Sequence, residues 1–298
     1  MFYVKTPDST TGIFDGPTEG PILASMTTAE QVALVLTDED MTQPRLAPTA
    51  AGRAVVFSAR APDKDGPNED SGGVLTVDSR TAVLAVADGM GGQPAGESAS
   101  KITMRCLRRT LEQAAESGPS VRGAILDALE RANERIIGLG IGAATTFAAL
   151  EIAGDTLRPY HVGDSGILVV GQRGKLKLQT IPHSPVGYAV EAGLLDEHEA
   201  MHHDDRHLVS NTVGSPDMRI EVGSALELAV RDTALLATDG LFDNLNPGEV
   251  VEIVRAGPLE QAAAELAQLC SERMREPLEG HPSKPDDLTF VLYRRLAD

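Results

Sequence analysis

The run TAVLAVADGMGG (81–92) constrains the chain most: apolar residues continue to Ala87, Asp88 follows, and glycine takes positions 89, 91 and 92. A strand made of such a run belongs in a core. A carboxylate inside it would face a severe desolvation cost. At the strand's end the carboxylate can instead face a cleft, where a cation offsets that cost. The arrangement recurs. NEDS sets Glu69 and Asp70 before the strand candidate 71–78, and HVGDSG sets Asp164 between two strands. LLATDGLFDN ends a strand at Asp239, and KPDDLTF puts Asp286 and Asp287 before a last one. Taken singly, Asp-Gly is a common turn pair and Glu69-Asp70 a solvated loop. Recurrence at separated strand ends points to a converging hard-oxygen site of the kind Mg²⁺ or Mn²⁺ prefers.

The order of elements sets the fold class. RAVVFSA (53–59), SGGVLTVD (71–78) and TAVLAVAD (81–88) read as strands, the last two joined by Ser79-Arg80 in a connection short enough for antiparallel pairing. GESASKITMRCLRRTLEQAAES and SVRGAILDALERANERIIG read as helices, the second capped by Ser120 and ended by Gly138 and Gly140. Strands resume at TTFAALEIAG, TLRPYHVGDSGILVVG and GKLKLQTI, and a polar stretch over 182–220 reads as a partly helical flap. ALELAVRDTALLATDG returns to strands, EQAAAELAQLCSERMR is a helix, and DDLTFVLYRRL a final strand. Two long helices between blocks of strands break the βαβα rhythm and suit a layered α+β arrangement whose sheets supply the core. With no internal repeat, residues 51–298 read as one domain, preceded by an N-terminal extension over 1–50.

Charge narrows the partners. The 44 acidic and 26 basic side chains leave a formal charge of -18, which argues against a general nucleic-acid binder and against adsorption to anionic lipid. Bound divalent ions would instead attract a phosphate that the bare acidic surface repels. No apolar stretch approaches membrane-spanning length, and MFYVKTPDST lacks a secretory pattern, so a cytoplasmic location is expected. Cys106 and Cys270 are expected to be reduced thiols.

The ordered set NEDS, ADGMGG, GAATTFAALEI, HVGDSG, TVGS, LLATDGLFD and DDLTFVL resembles the metal-dependent serine/threonine protein phosphatases of the PP2C (PPM) family in their compact bacterial form, over about residues 53–296. The resemblance implies a four-layer α-β-β-α sandwich of two antiparallel sheets with metals in a cleft at one edge. It implies hydrolysis of phosphoserine and phosphothreonine in proteins by a water activated between two Mn²⁺ or Mg²⁺ ions, without a phosphoenzyme. Matched position by position, Asp70, Asp88, Asp239 and Asp286 are the carboxylates of the ion pair, with Asp88 bridging and Gly89 giving its carbonyl. Asp164, with Asp239, matches the holder of a third, looser ion. Glu69 would act through a metal-bound water, Asp287 from behind the ligands, and Thr145 and Thr146 as a structural pair. The implied partners are phosphoproteins made by a bacterial Ser/Thr kinase, met by a monomer.

Several positions depart from the family's pattern. Met90 stands where animal members carry a histidine, so protonation of the leaving group passes to solvent. Asp65 stands where an arginine usually pairs with substrate phosphate, leaving Lys64 and Arg60 as the phosphate-binding candidates; an ammonium lacks the guanidinium fork. Gly166 follows GDS in place of the common arginine. His202, His203, Asp204 and Asp205 read as a solvated flap face rather than a zinc site, and His161 as a hydrogen-bonded structural histidine. Arg105, Arg108 and Arg109 read as a polar helix face. Two rival chemistries fit less of the chain. Asp38-x-Asp40-x-Thr42 resembles a haloacid-dehalogenase nucleophile motif, but Met41 takes the place of its glycine, and neither cysteine has arginine at the sixth following position. A silent phosphoprotein-binding domain, motivated by Asp65, would be expected to lose the carboxylates that this chain keeps.

Overall fold

The computed structural model describes residues 33–49, 52–91, 95–117, 120–201 and 203–296. Gly92, His202 and residues 1–32 lie outside the described residues. In chain order the first strands are β1 (Ala33–Thr37), β2 (Arg45–Ala47), β3 (Arg53–Ala59), β4 (Ser71–Thr76), β5 (Thr81–Ala87) and β6 (Gly89–Met90). Helices α1 (Ala95–Ser117) and α2 (Val121–Leu139) follow, then β7 (Ala144–Thr145), β8 (Phe147–Ala153), β9 (Thr156–Val162), β10 (Gly166–Val170) and β11 (Leu176–Gln179). The stretch read as a flap carries α3 (Pro185–Glu191), α4 (Glu197–Met201) and a 3-10 turn at Asp204–His207. The chain closes with β12 (Glu221–Val222), β13 (Leu226–Glu227), β14 (Thr233–Ala237), α5 (Asp239–Phe242), α6 (Pro247–Val254), α7 (Leu259–Arg275) and β15 (Leu288–Arg294).

Two large antiparallel sheets result, with β6 and β7 forming a separate two-stranded pair. One runs β1-β4-β5-β8-β9-β12, with β13 also on β9; the other runs β11-β10-β14-β15-β3-β2. The segment expected as an extension thus supplies an edge strand to each sheet, β1 on β4 and β2 on β3. Side-chain alternation explains the layers. In β5, Val83 and Ala85 pack with the α1 and α2 side chains, while Leu84 and Val86 point between the sheets. In β15, Phe290 and Leu292 meet α6 and α7, while Val291 and Tyr293 point between the sheets. Strands buried on both faces read as near-continuous apolar runs, which is why TAVLAVA carries no polar alternation. The architecture is the expected α-β-β-α sandwich.

Local signals set the helix ends. The Ser120 side chain accepts from Gly123 N–H, and Gly140 ends α2 at φ 65° in the left-handed region. Helix α6 escaped the sequence reading, although Asn246 followed by Glu249 is a capping signal; the Glu249 carboxylate accepts from Asn246 N–H at 3.0 Å.

Antiparallel register gathers the site. Ser71 opens β4 opposite Ala87, which closes β5; Gly166 opens β10 opposite Ala237, which closes β14; Leu288 opens β15 opposite Ala59, which closes β3. The strand-end carboxylates therefore share one edge of the sandwich. Leu236 is fully buried between the sheets. Leu236→Ala should cost about 2–5 kcal/mol, read as a lower urea midpoint with an unchanged m-value.

Candidate metal centre

Backbone contacts aim each carboxylate. The Asp88 N–H donates to Thr146 Oγ1 at 2.9 Å, and its carbonyl accepts from Thr145 Oγ1 at 2.7 Å and Thr146 N–H at 2.9 Å. The threonine pair thus fixes the peptide on both sides of Asp88. Gly89 packs so closely on Gly96 of α1 that a Cβ on either would strike the other's carbonyl. Asp70 is almost wholly buried. Its N–H donates to Asn68 Oδ1 at 2.9 Å, and its Oδ2 accepts from Thr238 Oγ1 at 2.8 Å. Asp239 opens α5, where a Cβ on the next residue, Gly240, would collide with the Asp287 carbonyl.

Burial and mutual repulsion act on these groups together. The carboxyls of Asp70 and Asp88 are pushed well above the usual carboxylate range, first by burial, then by Asp287 and Asp239 respectively. Asp286 is raised by burial and Asp239, against the pull of Lys284. Asp164 is pushed up to about 7 by burial, Asp239 and Asp243. Each of these shifts means that the ionised form lacks compensation. Asp164 Oδ1, Asp239 Oδ1 and Glu69 Oε1 are sealed from solvent without a hydrogen-bond partner. Orphaned buried carboxylate oxygens and an all-oxygen donor set fit a hard divalent cation.

The remaining predicted residues form the inner rim. Asp287 Oδ1 accepts from Ala61 N–H at 2.8 Å, and its Oδ2 from Glu69 N–H at 2.7 Å and Lys64 Nζ at 2.6 Å. Lys64 Nζ also reaches Glu69 Oε2 at 2.8 Å. Burial works to lower the Lys64 pKa, but Asp287 and Glu69 outweigh it and the ammonium is held charged. Arg60 turns away, to Asp40 at 3.3 Å and the Gly66 carbonyl at 3.2 Å. Asp65, in the usual arginine place, is exposed.

Three residues escaped the sequence reading. Thr238 precedes Asp239 and orients Asp70. Asp243 lies one helical turn beyond Asp239, a spacing that LFDN displays. Lys284 Nζ lies 2.8 Å from Asp239 Oδ2, 2.8 Å from Asp243 Oδ2 and 3.0 Å from Asp286 Oδ2. Gly166 leaves room for the Phe242 ring, which a Cβ there would strike. Phe242 lines a cavity of about 440 Å³ with Ile167, Val186, Val190 and Met201, open to Asp164, Asp239 and Asp243.

The histidines sort differently from expectation. His203 Nδ1 accepts from Asp205 N–H at 3.1 Å and caps the 3-10 turn. His161 was expected to be hydrogen-bonded. Instead neither ring nitrogen has a hydrogen-bond partner, and the ring packs on His183 at 4.4 Å. Burial and His183 lower its pKa to about 4, so the ring is neutral. His161, His183 and Glu221 bring ligand atoms within 4.8 Å of one another, a group that could hold a metal ion. His183 nevertheless already uses Nδ1 for Gly163 N–H at 3.0 Å and Nε2 for Glu221 at 3.0 Å.

Comparison with known proteins converges on one family. Residues 60–279 match the family described as protein phosphatase 2C. The chain is 30% identical over 203 residues to a putative protein phosphatase 2C-type of Streptococcus pyogenes, covering 64% of this chain and 80% of that one. It is 30% identical to the serine/threonine protein phosphatase PstP of Mycobacterium tuberculosis, over 76% of this chain and 41% of that one. The solved serine/threonine phosphatase of S. agalactiae superposes with a TM-score of 0.70 at 27% identity, over 81% of this chain and 98% of that one.

The raised carboxyls set a pH dependence. Their folded pKa values exceed the unfolded ones, so their contribution to stability is complete below the ordinary carboxylate range and is lost as pH rises through each folded value, which for Asp164 is about 7. Metal needs the ionised forms. Without divalent ions the melting temperature should fall between pH 5 and pH 8 on account of these groups, and Mn²⁺ should raise it more at pH 8. An equal or larger Mn²⁺ effect at pH 5 would contradict this account.

Proposed function

The chain belongs to the protein phosphatase 2C family, and we propose that it hydrolyses phosphoserine and phosphothreonine in proteins at this carboxylate cleft. The observation that carries the reading is the convergence of Asp70, Asp88, Asp164, Asp239 and Asp286 with buried, unpartnered oxygens on Asp164 and Asp239. Asp70, Asp88, Asp239 and Asp286, with the Gly89 carbonyl, would hold two Mn²⁺ or Mg²⁺ ions. Asp164 and Asp239 each keep a buried oxygen without a hydrogen-bond partner beside that pair. When bound, the ions would lower the pKa of a shared water and neutralise phosphoryl oxygens.

The chain's own residues do the positioning. Thr145 and Thr146 hold Asp88 across the cleft, and Thr238 turns Asp70 inward. Glu69 Oε1, buried without a partner in the chain, would meet a metal-bound water, while Oε2 is tied to Lys64. An ammonium has three N–H donors; Lys64 gives one to Glu69 and one to Asp287, which leaves a third for phosphate. The Met90 thioether has no proton to give, so the departing alkoxide takes one from solvent. The cavity beside Phe242 accommodates apolar side chains that flank the phosphorylated residue. The phosphoproteins would be products of a bacterial Ser/Thr kinase.

Hydrolysis of p-nitrophenyl phosphate and a phosphothreonine peptide should require Mn²⁺ or Mg²⁺. D88A and D239N should each lose more than about 100-fold in kcat, since even groups behind metal ligands cost about 10–100-fold. A folded wild type without metal-dependent turnover would falsify the enzyme reading. K64A should raise KM about tenfold, the worth of one hydrogen bond between charged groups, with a smaller change in kcat. Unchanged saturation removes Lys64 from phosphate binding.

A further inference from the structure

Lys284 sits among carboxylates already assigned to metal, and its backbone is held on two sides. Lys284 N–H donates to Asn244 Oδ1 at 3.0 Å, and its carbonyl accepts from Asn244 Nδ2 at 2.9 Å. The same Nδ2 reaches the Gly240 carbonyl in α5 at 2.9 Å. On the N-terminal side Ser283 Oγ donates to the Arg273 carbonyl of α7 at 2.8 Å, and Pro282 is buried. Pro285 restricts the other side. A lysine on such a base is aimed at its partners, unlike a freely rotating surface side chain.

The carboxylate oxygens around Lys284 divide by partner. Asp239, Asp243 and Asp286 all present Oδ2 to the ammonium. Asp239 keeps Oδ1 buried and unpartnered, as does Asp164. Asp239 therefore gives one oxygen to Lys284 and keeps the other without a hydrogen-bond partner. An ion shared by Asp164 and Asp239 would have to share Asp239 with a full positive charge in hydrogen-bond contact. Like charges so placed repel strongly where water is partly excluded.

We propose that Lys284 is a built-in cation that takes the place of the third, outer metal ion, so that this chain works with two ions. The proposal rests on the binuclear reading of the cleft and refines it. Asp164 then remains an outer carboxylate facing the cavity without an ion of its own. Asp243, one turn along α5 from Asp239, completes the ammonium's cage. Charge that other arrangements draw from solution is here covalently attached.

The test counts ions instead of turnover. Metal-stripped full-length chain is titrated with Mn²⁺ by calorimetry, and bound manganese is measured after equilibrium dialysis. The wild type should take up two Mn²⁺ per chain, K284R should also take up two, and K284Q should gain a third weaker site. D164N should leave the wild-type count unchanged and abolish the extra site in the K284Q background. A wild type that binds three ions overturns the role of Lys284 while leaving the metal reading intact, and that count stands even where K284Q does not fold. A folded K284Q that stays at two with unchanged affinity also overturns it. A wild type that binds no Mn²⁺ overturns the metal reading itself, and this proposal with it.

Discussion

Repulsion among buried carboxylates is the constraint on which the rest of the molecule depends. Burial raises the pKa values of Asp70, Asp88, Asp164 and Asp286, and the charges of neighbouring carboxylates, Asp239 among them, raise them further. Such a cluster does not assemble by itself; it has to be held. The holding is done by neutral groups that cost little to bury because each is hydrogen-bonded: Thr145 and Thr146 around Asp88, Asn68 and Thr238 around Asp70. Behind them stand the three apolar layers of the sandwich, which supply the stability that the cleft spends.

Two ammonium groups border the cluster, and their partners differ in kind. Lys64 is tied to Glu69 and Asp287, side chains that lie behind the proposed ligands. Lys284 is tied to Asp239 and Asp286, which are proposed ligands themselves, and to Asp243. The first leaves an N–H for substrate and the ligands undisturbed. The second competes with an ion directly.

The carboxylates were legible because each interrupts an apolar strand at its end, where an ionised group has no structural purpose. The sandwich was legible because the runs at 81–87 and 233–237 lack polar alternation. Lys284 was not, since a lysine between serine and proline has the composition of any solvated loop, and only the Asn244 contacts reveal that its backbone is fixed. Asp243 could have been found from its spacing to Asp239, had LFDN been read as helix. His161 misled because a histidine inside a strand is ordinarily read through its hydrogen bonds; here the ring is buried against a second imidazole and kept neutral. Strand β2 was obscured by its shortness and edge position, where only part of it is buried.

A tethered cation and a bound ion neutralise the same oxygens but answer to different variables. Occupancy by an ion follows its concentration, whereas the ammonium of Lys284 is present at fixed geometry whenever the chain is folded. The cavity, which Asp164, Asp239 and Asp243 help to line, would then carry a charge that does not vary with metal supply. On this proposal what varies is confined to the ion pair that Asp70, Asp88, Asp239 and Asp286 would hold. Asp239 would be the hinge of this division: one oxygen is paired with Lys284, and the other, without a partner in the chain, would meet an exchangeable ion. Metal dependence of the reaction and charge on the substrate-facing side are thereby separated within a single carboxylate.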